Sequence, residues 1–350
     1  MLNRRDLAKG VALSGAAAFV AVRPAAAQPP SDRRPAPIKP PKLSEGDTVG
    51  LVLPARMAFE PSHIDLARRQ LEALGFAVKL GENAYARDTY LAGTDEQRAA
   101  DLNSMFADPE VDGIFCYTGG WGTPRILPLL DYPLIRDHPK VLIGFSDITA
   151  LVNAVYQETG VVTFHGPTAA GQIRPWTREQ MRRVIQSSEP IGTLGNPPKE
   201  EKALVNWDYP LLTVRGGRAR GRLVGGNLTL VCALMGTPWE LDTRGAILLL
   251  EDVEEDLYRI DRMLTQLYLA GKLREVAGVV FGDCSRCDPG EGTSFSLEQI
   301  LRHWLQPLGV PVLSGLAFGH VPERLTLPIG LEATLDADAG TLTLDEPAVT

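Results

Sequence analysis

At 350 residues, with 44% apolar and 22% charged positions, the chain has the length for two domains and the composition of a folded globular protein. Its formal net charge is −8 and it carries no basic block outside the extreme N-terminus, which argues against a nucleic-acid partner. No stretch after the leader described next reaches the roughly 20 apolar residues of a spanning helix, so no membrane span is expected once that leader is removed.

Residues 1–27 read as an export signal. Asn3-Arg4-Arg5-Asp6-Leu7-Ala8-Lys9 is a basic opening with an arginine pair, Gly10 to Val22 is a short apolar run, and Ala25-Ala26-Ala27 is a small-residue cleavage site. The arginine pair predicts the twin-arginine route, a periplasmic destination and a mature start near Gln28. Residues 28–42 are proline-rich and polar, the composition of an extended linker.

From Leu43 the pattern is strand, helix, strand. Asp47–Pro54 is a buried strand, Ser62 to Leu74 has helical periodicity and stops at Gly75, and Phe76–Leu80 is the next strand. Thr94 caps a helix running to Ala107. Gly113–Tyr117 is a strand leading into Thr118-Gly119-Gly120-Trp121-Gly122, and Val141–Phe145 is a strand followed by a helix from about Asp147 to Glu158. Such alternation predicts an α/β fold with a mostly parallel sheet covered on both faces over 43–170. The pattern weakens over 171–220, which reads as a connecting region. A second, smaller β-rich unit is expected over 221–350, with strands at Gly245–Leu250, Val276–Phe281 and Leu331–Leu344 and a helix near Tyr258 to Ala270.

Ser146 is the first chemical candidate. It sits between an apolar strand and a helix, at the carboxyl edge where ligands bind in such sheets. The helix start behind it offers free amide groups for an oxyanion, although a serine there is equally an ordinary N-cap. Glu251, in the acidic run Glu251-Asp252 with Glu254 and Glu255, follows a strand; it can orient a histidine or simply face solvent. His320, in Gly319-His320-Val321-Pro322, is one of five histidines and lies in a loop fixed by Gly and Pro. His165, in Phe164-His165-Gly166-Pro167, is the rival base. The order Ser…Glu…His supplies a nucleophile, an orienting carboxylate and a base. Gly144-Phe145-Ser146-Asp147-Ile148 lacks the second glycine of a GxSxG elbow, which argues against an ordinary α/β-hydrolase.

The glycine-rich loop at 118–122 has neither a Walker lysine nor dinucleotide spacing. Cys284-Ser-Arg-Cys287 is a lone CxxC, without the further ligands of a zinc site, and reads as a loop disulfide or two idle thiols. No cofactor and no metal are expected.

Seven motifs in order resemble the LD-carboxypeptidase (murein tetrapeptide carboxypeptidase) family. They are Gly113–Gly122, Gly144–Thr149, Phe164–Pro167, Gly221–Leu228, Leu248–Val253, Tyr258–Leu264 and Gly319-His320. The resemblance runs from about Asp47 to Leu335. It implies a Ser146–Glu251–His320 triad, with an oxyanion hole from the amides of Gly120 and Asp147. It further implies an α/β N-terminal domain, a smaller β-rich C-terminal domain, a site between them and a homodimer. The implied reaction is hydrolysis of the bond from an L-configured diamino acid to the terminal D-alanine of a murein tetrapeptide. Arg125 and Arg259 are candidates to bind the terminal carboxylate. Under this reading His165 is structural or lines the pocket. Typical members recycle murein peptides in the cytoplasm, which the export signal here contradicts. The alternatives are a related serine amidase acting on modified peptides or peptide-nucleotide compounds, and an exported muropeptide-binding protein without turnover.

Overall fold

Short apolar strands alternate with helices through the first half of the chain, and the computed structural model of the protein places them in one parallel sheet. The described residues are 36–199, 201, 204–289 and 294–350, so the expected export signal and residues 28–35 lie outside them. The elements begin with β1 (Thr48–Val52), α1 (Pro61–Ala73), β2 (Ala77–Leu80), α2 (Asp95–Ala107), β3 (Gly113–Cys116), α3 (Thr123–Ile126), α4 (Tyr132–Asp137), β4 (Val141–Gly144), α5 (Thr149–Thr159) and β5 (Thr163–His165). Strands β1, β3 and β4 are buried at nearly every position, as continuous apolar runs in a parallel sheet require. Thr94 caps α2 as expected: its hydroxyl accepts from the Gln97 amide, and the Gln97 side chain accepts from the Thr94 amide.

The chain continues with α6 (Pro175–Ile185), β6 (Gly192–Leu194), β7 (Leu212–Arg215), β8 (Arg218–Asn227), α7 (Leu228–Ala233), β9 (Ile247–Val253), α8 (Leu257–Leu269), β10 (Gly278–Ser285), α9 (Leu297–Leu305), β11 (Val312–Ser314), β12 (Leu327–Ile329), β13 (Glu332–Asp336) and β14 (Thr341–Leu344). One sheet has the order β12-β5-β4-β3-β1-β2, the other β6-β14-β13-β8-β9-β10-β11-β7. The first is parallel except for β12, and in the second β8 to β11 run parallel between antiparallel flanks. The architecture is therefore α/β, with an N-terminal mostly parallel layer and a β-rich C-terminal part.

Three features go beyond the sequence pattern. The connecting stretch 171–220 supplies α6 and both edge strands of the second sheet, β6 and β7. Edge strands are short and polar on their open side, so they leave little periodicity. Strand β12, from the C-terminal half, pairs antiparallel with β5, so the two halves share a sheet; Pro328 is tolerated there because the strand is an edge. The end of the proline-rich stretch is tied down: the Ile38 amide donates to Gly160, the Lys42 amide to Thr350 and the Leu43 amide to Ile185. At the end of β10, Cys284 and Cys287 form a disulfide, while Cys116 and Cys232 are free and buried.

Candidate active site

Strand β4 ends at Gly144, Phe145 remains extended, and Ser146 turns the chain with a φ of 66°. A 3-10 turn, Ser146–Ile148, then leads into α5. The left-handed region costs a non-glycine residue about 1–3 kcal/mol and persists only where its surroundings over-determine it. The bend holds Ser146 at the carboxyl edge of the sheet without the second glycine of an elbow motif. Close approach is supplied instead by Gly119 and Gly144. A Cβ on Gly119 would lie 2.7 Å from Ser146 Cβ, and one on Gly144 would lie 2.8 Å from Ile148 Cγ2.

His320 reaches Ser146 from the loop between β11 and β12. Its Nε2 lies 3.0 Å from Ser146 Oγ, and its Nδ1 lies 2.7 Å from Glu251 Oε2. Glu251 is wholly buried inside β9, and its Oε1 has no hydrogen-bond partner among the described residues. An ionised carboxylate only accepts, so Nδ1–H of His320 donates to Glu251, which fixes the tautomer and leaves Nε2 free to accept from the serine hydroxyl. The His320 carbonyl accepts from Ser285 Oγ at 2.8 Å, and its ring packs edge-on against Phe145 at 4.9 Å. The expected placement of Glu251 just beyond its strand is corrected: β9 runs on to Val253 and encloses it.

Alternation along β9 sends Asp252 to the opposite face from Glu251. Asp252 accepts from Asn227 Nδ2 at 3.0 Å, from the Thr229 amide at 3.0 Å and from Thr229 Oγ1 at 2.9 Å. Burial nevertheless raises its pKa, with the neighbouring Glu251 charge adding to the effect. The serine-bearing segment is stapled to the second sheet as well. Asn153 on α5 both donates to the Gly225 carbonyl and accepts from the Gly225 amide, each at 2.9 Å, and Thr149 Oγ1 accepts from the Asn227 amide at 3.0 Å. These bonds fix the sheet carrying Ser146 against the strands carrying Glu251.

The glycine loop after β3 lies beside the serine. A Cβ on Gly119 would come 2.9 Å from Ser146 Oγ and 3.0 Å from the Asp147 amide nitrogen, whereas Gly120, at φ 116°, backs onto the side chain of Arg56. The loop is clamped at its far end. Asp147 Oδ2 accepts from the Thr123 amide at 2.7 Å, and the buried Arg98 donates to the Gly122 carbonyl at 3.0 Å while pairing with Asp95. Burial raises the Asp147 pKa, and the Thr123 bond opposes it.

The remaining candidates stand apart. His165 is buried with neither ring nitrogen hydrogen-bonded among the described residues, and burial lowers its pKa to about 3. It packs edge-on to Phe145 and Phe318. Arg125 is exposed and bound to Asp95 at 2.9 Å; Arg259 is exposed on α8 and faces Glu255 and Asp256 at 3.6 Å. Residues that sequence reasoning passed over are Gly119, Phe145, Asn153 and Arg324, whose guanidinium lies 4.4 Å over the Phe145 ring. Gly119 and Phe145 belonged to motifs already noted; Asn153 and Arg324 carried no signal, because their roles arise from contacts between distant segments. No group of three or more His, Cys, Asp or Glu side chains is arranged to hold a metal among the described residues.

Comparison with known proteins agrees along the chain. The family model described as the LD-carboxypeptidase N-terminal domain matches residues 49–166, and that of the LD-carboxypeptidase C-terminal domain matches residues 220–335. The chain is 42% identical over 313 residues to the "Probable murein peptide carboxypeptidase" of Bacillus subtilis, covering 88% of this chain and 94% of the relative. It is 34% identical to the "Murein tetrapeptide carboxypeptidase" of Pseudomonas aeruginosa over 83% of this chain and 93% of that one. Among solved structures it superposes on the microcin C7 self-immunity protein MccF, a protein of Escherichia coli, with a TM-score of 0.82 and 27% identity over 90% of this chain and all of that one.

Proposed function

The chain belongs to the LD-carboxypeptidase family, and on that premise we propose that it is a serine carboxypeptidase that removes the terminal D-alanine from murein tetrapeptides. The observation that carries the proposal is the unbroken path Ser146 Oγ–His320 Nε2–His320 Nδ1–Glu251 Oε2, at 3.0 and 2.7 Å, assembled from three distant segments.

A serine hydroxyl is a weak nucleophile until a base takes its proton. In the proposed reaction Ser146 Oγ bonds to the scissile carbonyl carbon while its proton passes to His320 Nε2. The carbonyl electron pair moves onto oxygen, where the amides of Gly120 and Asp147 stabilise it. Glu251 holds the imidazole and offsets its positive charge. Collapse breaks the C–N bond, and His320 gives its proton to the departing D-alanine nitrogen. Water, deprotonated by His320, then cleaves the acyl-serine and restores the hydroxyl.

The test is release of D-alanine from a murein tetrapeptide by the purified mature protein, unchanged by EDTA because the mechanism uses no metal. Loss of turnover on chelation, restored by zinc, would refute the metal-free mechanism. The likeness to MccF supports a second reading, a related amidase acting on modified peptides or peptide-nucleotide compounds. Turnover of an acyl-nucleotide in preference to the tetrapeptide would select it. The leader further supports export by the twin-arginine route into the periplasm. Replacing Arg4 and Arg5 by Lys is expected to hold the precursor in the cytoplasm, and undiminished export of that variant would remove the assignment.

A further inference from the structure

An exopeptidase that removes a single residue must meet that residue's free carboxylate about one residue length, roughly 3.5 Å, beyond the scissile bond. The leaving nitrogen lies on the imidazole side of the site, because His320 protonates it. A cation for the carboxylate is therefore required beside His320, on the side away from the oxyanion loop.

Arg324 is four residues beyond His320. Its guanidinium lies 4.4 Å over the ring of Phe145, the residue preceding Ser146, and the His320 ring packs against the same phenyl group at 4.9 Å. The segment carrying it is held in place. The Arg324 amide donates to Thr177 Oγ1 at 2.8 Å, Glu323 accepts from the Thr177 amide and hydroxyl at 2.9 and 2.8 Å, and the Glu323 amide donates to the Tyr209 hydroxyl at 3.0 Å. The guanidinium itself is underused. It donates to the Val321 carbonyl at 2.7 Å, and among the described residues no carboxylate lies within ion-pairing distance. A guanidinium has five N–H donors in a fork that matches a carboxylate. Burial lowers the Arg324 pKa, the mark of a cation stripped of water, and the Glu251 charge only partly compensates. By contrast Arg125 already holds Asp95, Arg259 faces Glu255 and Asp256, and Arg56 packs against Gly120 on the oxyanion side.

We infer that Arg324 binds the terminal carboxylate of the substrate, and that this contact restricts the enzyme to removing one residue from a free C-terminus. The inference rests on the carboxypeptidase reading above. A peptide extended beyond the D-alanine would place a neutral amide where the guanidinium expects a charge.

The test compares a tetrapeptide ending in free D-alanine with the same peptide ending in D-alanine amide. Wild type is expected to favour the acid in kcat/KM by roughly 10- to 100-fold, the range of a charge-assisted hydrogen-bonded pair. In Arg324→Gln the ratio should collapse towards one through a raised KM for the acid. Arg324→Lys, which keeps the charge but not the fork, should restore part of it. A near-UV circular dichroism spectrum matching wild type shows that each variant is folded. A preference that survives in Arg324→Gln, or disappears in Arg56→Gln instead, would overturn the assignment. An equal loss on both substrates would also overturn it, making Arg324 a support for Phe145. Wild type that cleaves neither peptide would bring down the carboxypeptidase reading and the assignment together.

Discussion

Ser146→Ala and His320→Ala are each expected to lower kcat by roughly 10⁴- to 10⁶-fold in D-alanine release, with Glu251→Ala costing somewhat less. The nucleophile and its base act as a unit, since among the described residues His320 Nε2, at 3.0 Å, is the hydrogen-bond acceptor in contact with the Ser146 hydroxyl. The double variant Ser146→Ala/His320→Ala should therefore be little worse than either single change. Glu251 only orients and charge-balances the imidazole, so its loss leaves a misplaced but present base. His165→Ala is the control. His165 shares the Phe145 ring with His320, at 6.2 Å, but its ring makes no hydrogen bond among the described residues, and burial pushes its pKa down to about 3. Its removal should reduce turnover far less, by the loosening of Phe145. If His165→Ala were inactive and His320→Ala active, the base would lie in the first sheet and the proposed path would be wrong.

The second large effect is expected at a residue without a side chain. Gly319 precedes His320 and has a φ of 89°, a conformation that any other residue adopts at a cost. A Cβ there would lie 2.5 Å from Glu251 Cδ, against a carboxylate that is fully buried in β9 and cannot move aside. Gly319→Ala must therefore displace either the carboxylate or the loop that holds His320. Backbone strain and overpacking together should cost about 2–4 kcal/mol of stability. A shift of the imidazole by about 1 Å should remove at least 10²-fold of kcat. Urea unfolding and D-alanine release measure the two parts. Wild-type kcat in a folded Gly319→Ala protein would show that the tight contact with Glu251 is not what places His320.

Gly226 shows the same economy of space on the other side of the junction. Its Cβ would lie 2.7 Å from the His165 ring and from Thr149 Oγ1. Such contacts explain why sequence reading alone left Gly221–Asn227 as a motif without a role. It is the strand β8, whose end is pressed against the first sheet.

Local chemistry was enough to determine much of this protein. The apolar run Val141–Ile143, set between turn residues and a following helix, reads as a strand buried on both faces, and Thr94 with Gln97 reads as a helix start, as the structure has them. Order along the chain placed Ser146 at a strand end, and the seven motifs indicated the family. The tertiary structure decided what depends on distance between segments. Glu251 and Asp252 are equivalent in sequence, yet the alternation of β9 turns one to His320 and the other to Asn227 and Thr229. His320 and His165 were rivals until the loop after β11 brought only His320 to Ser146. Arg125 and Arg259 looked available from sequence, and Arg324 was passed over, but salt bridges form through space and engaged the first two with acidic neighbours. Edge strands β6 and β7, and the crossing of β12 into the first sheet, left no periodicity, because pairing at an edge needs backbone groups rather than a pattern of side chains.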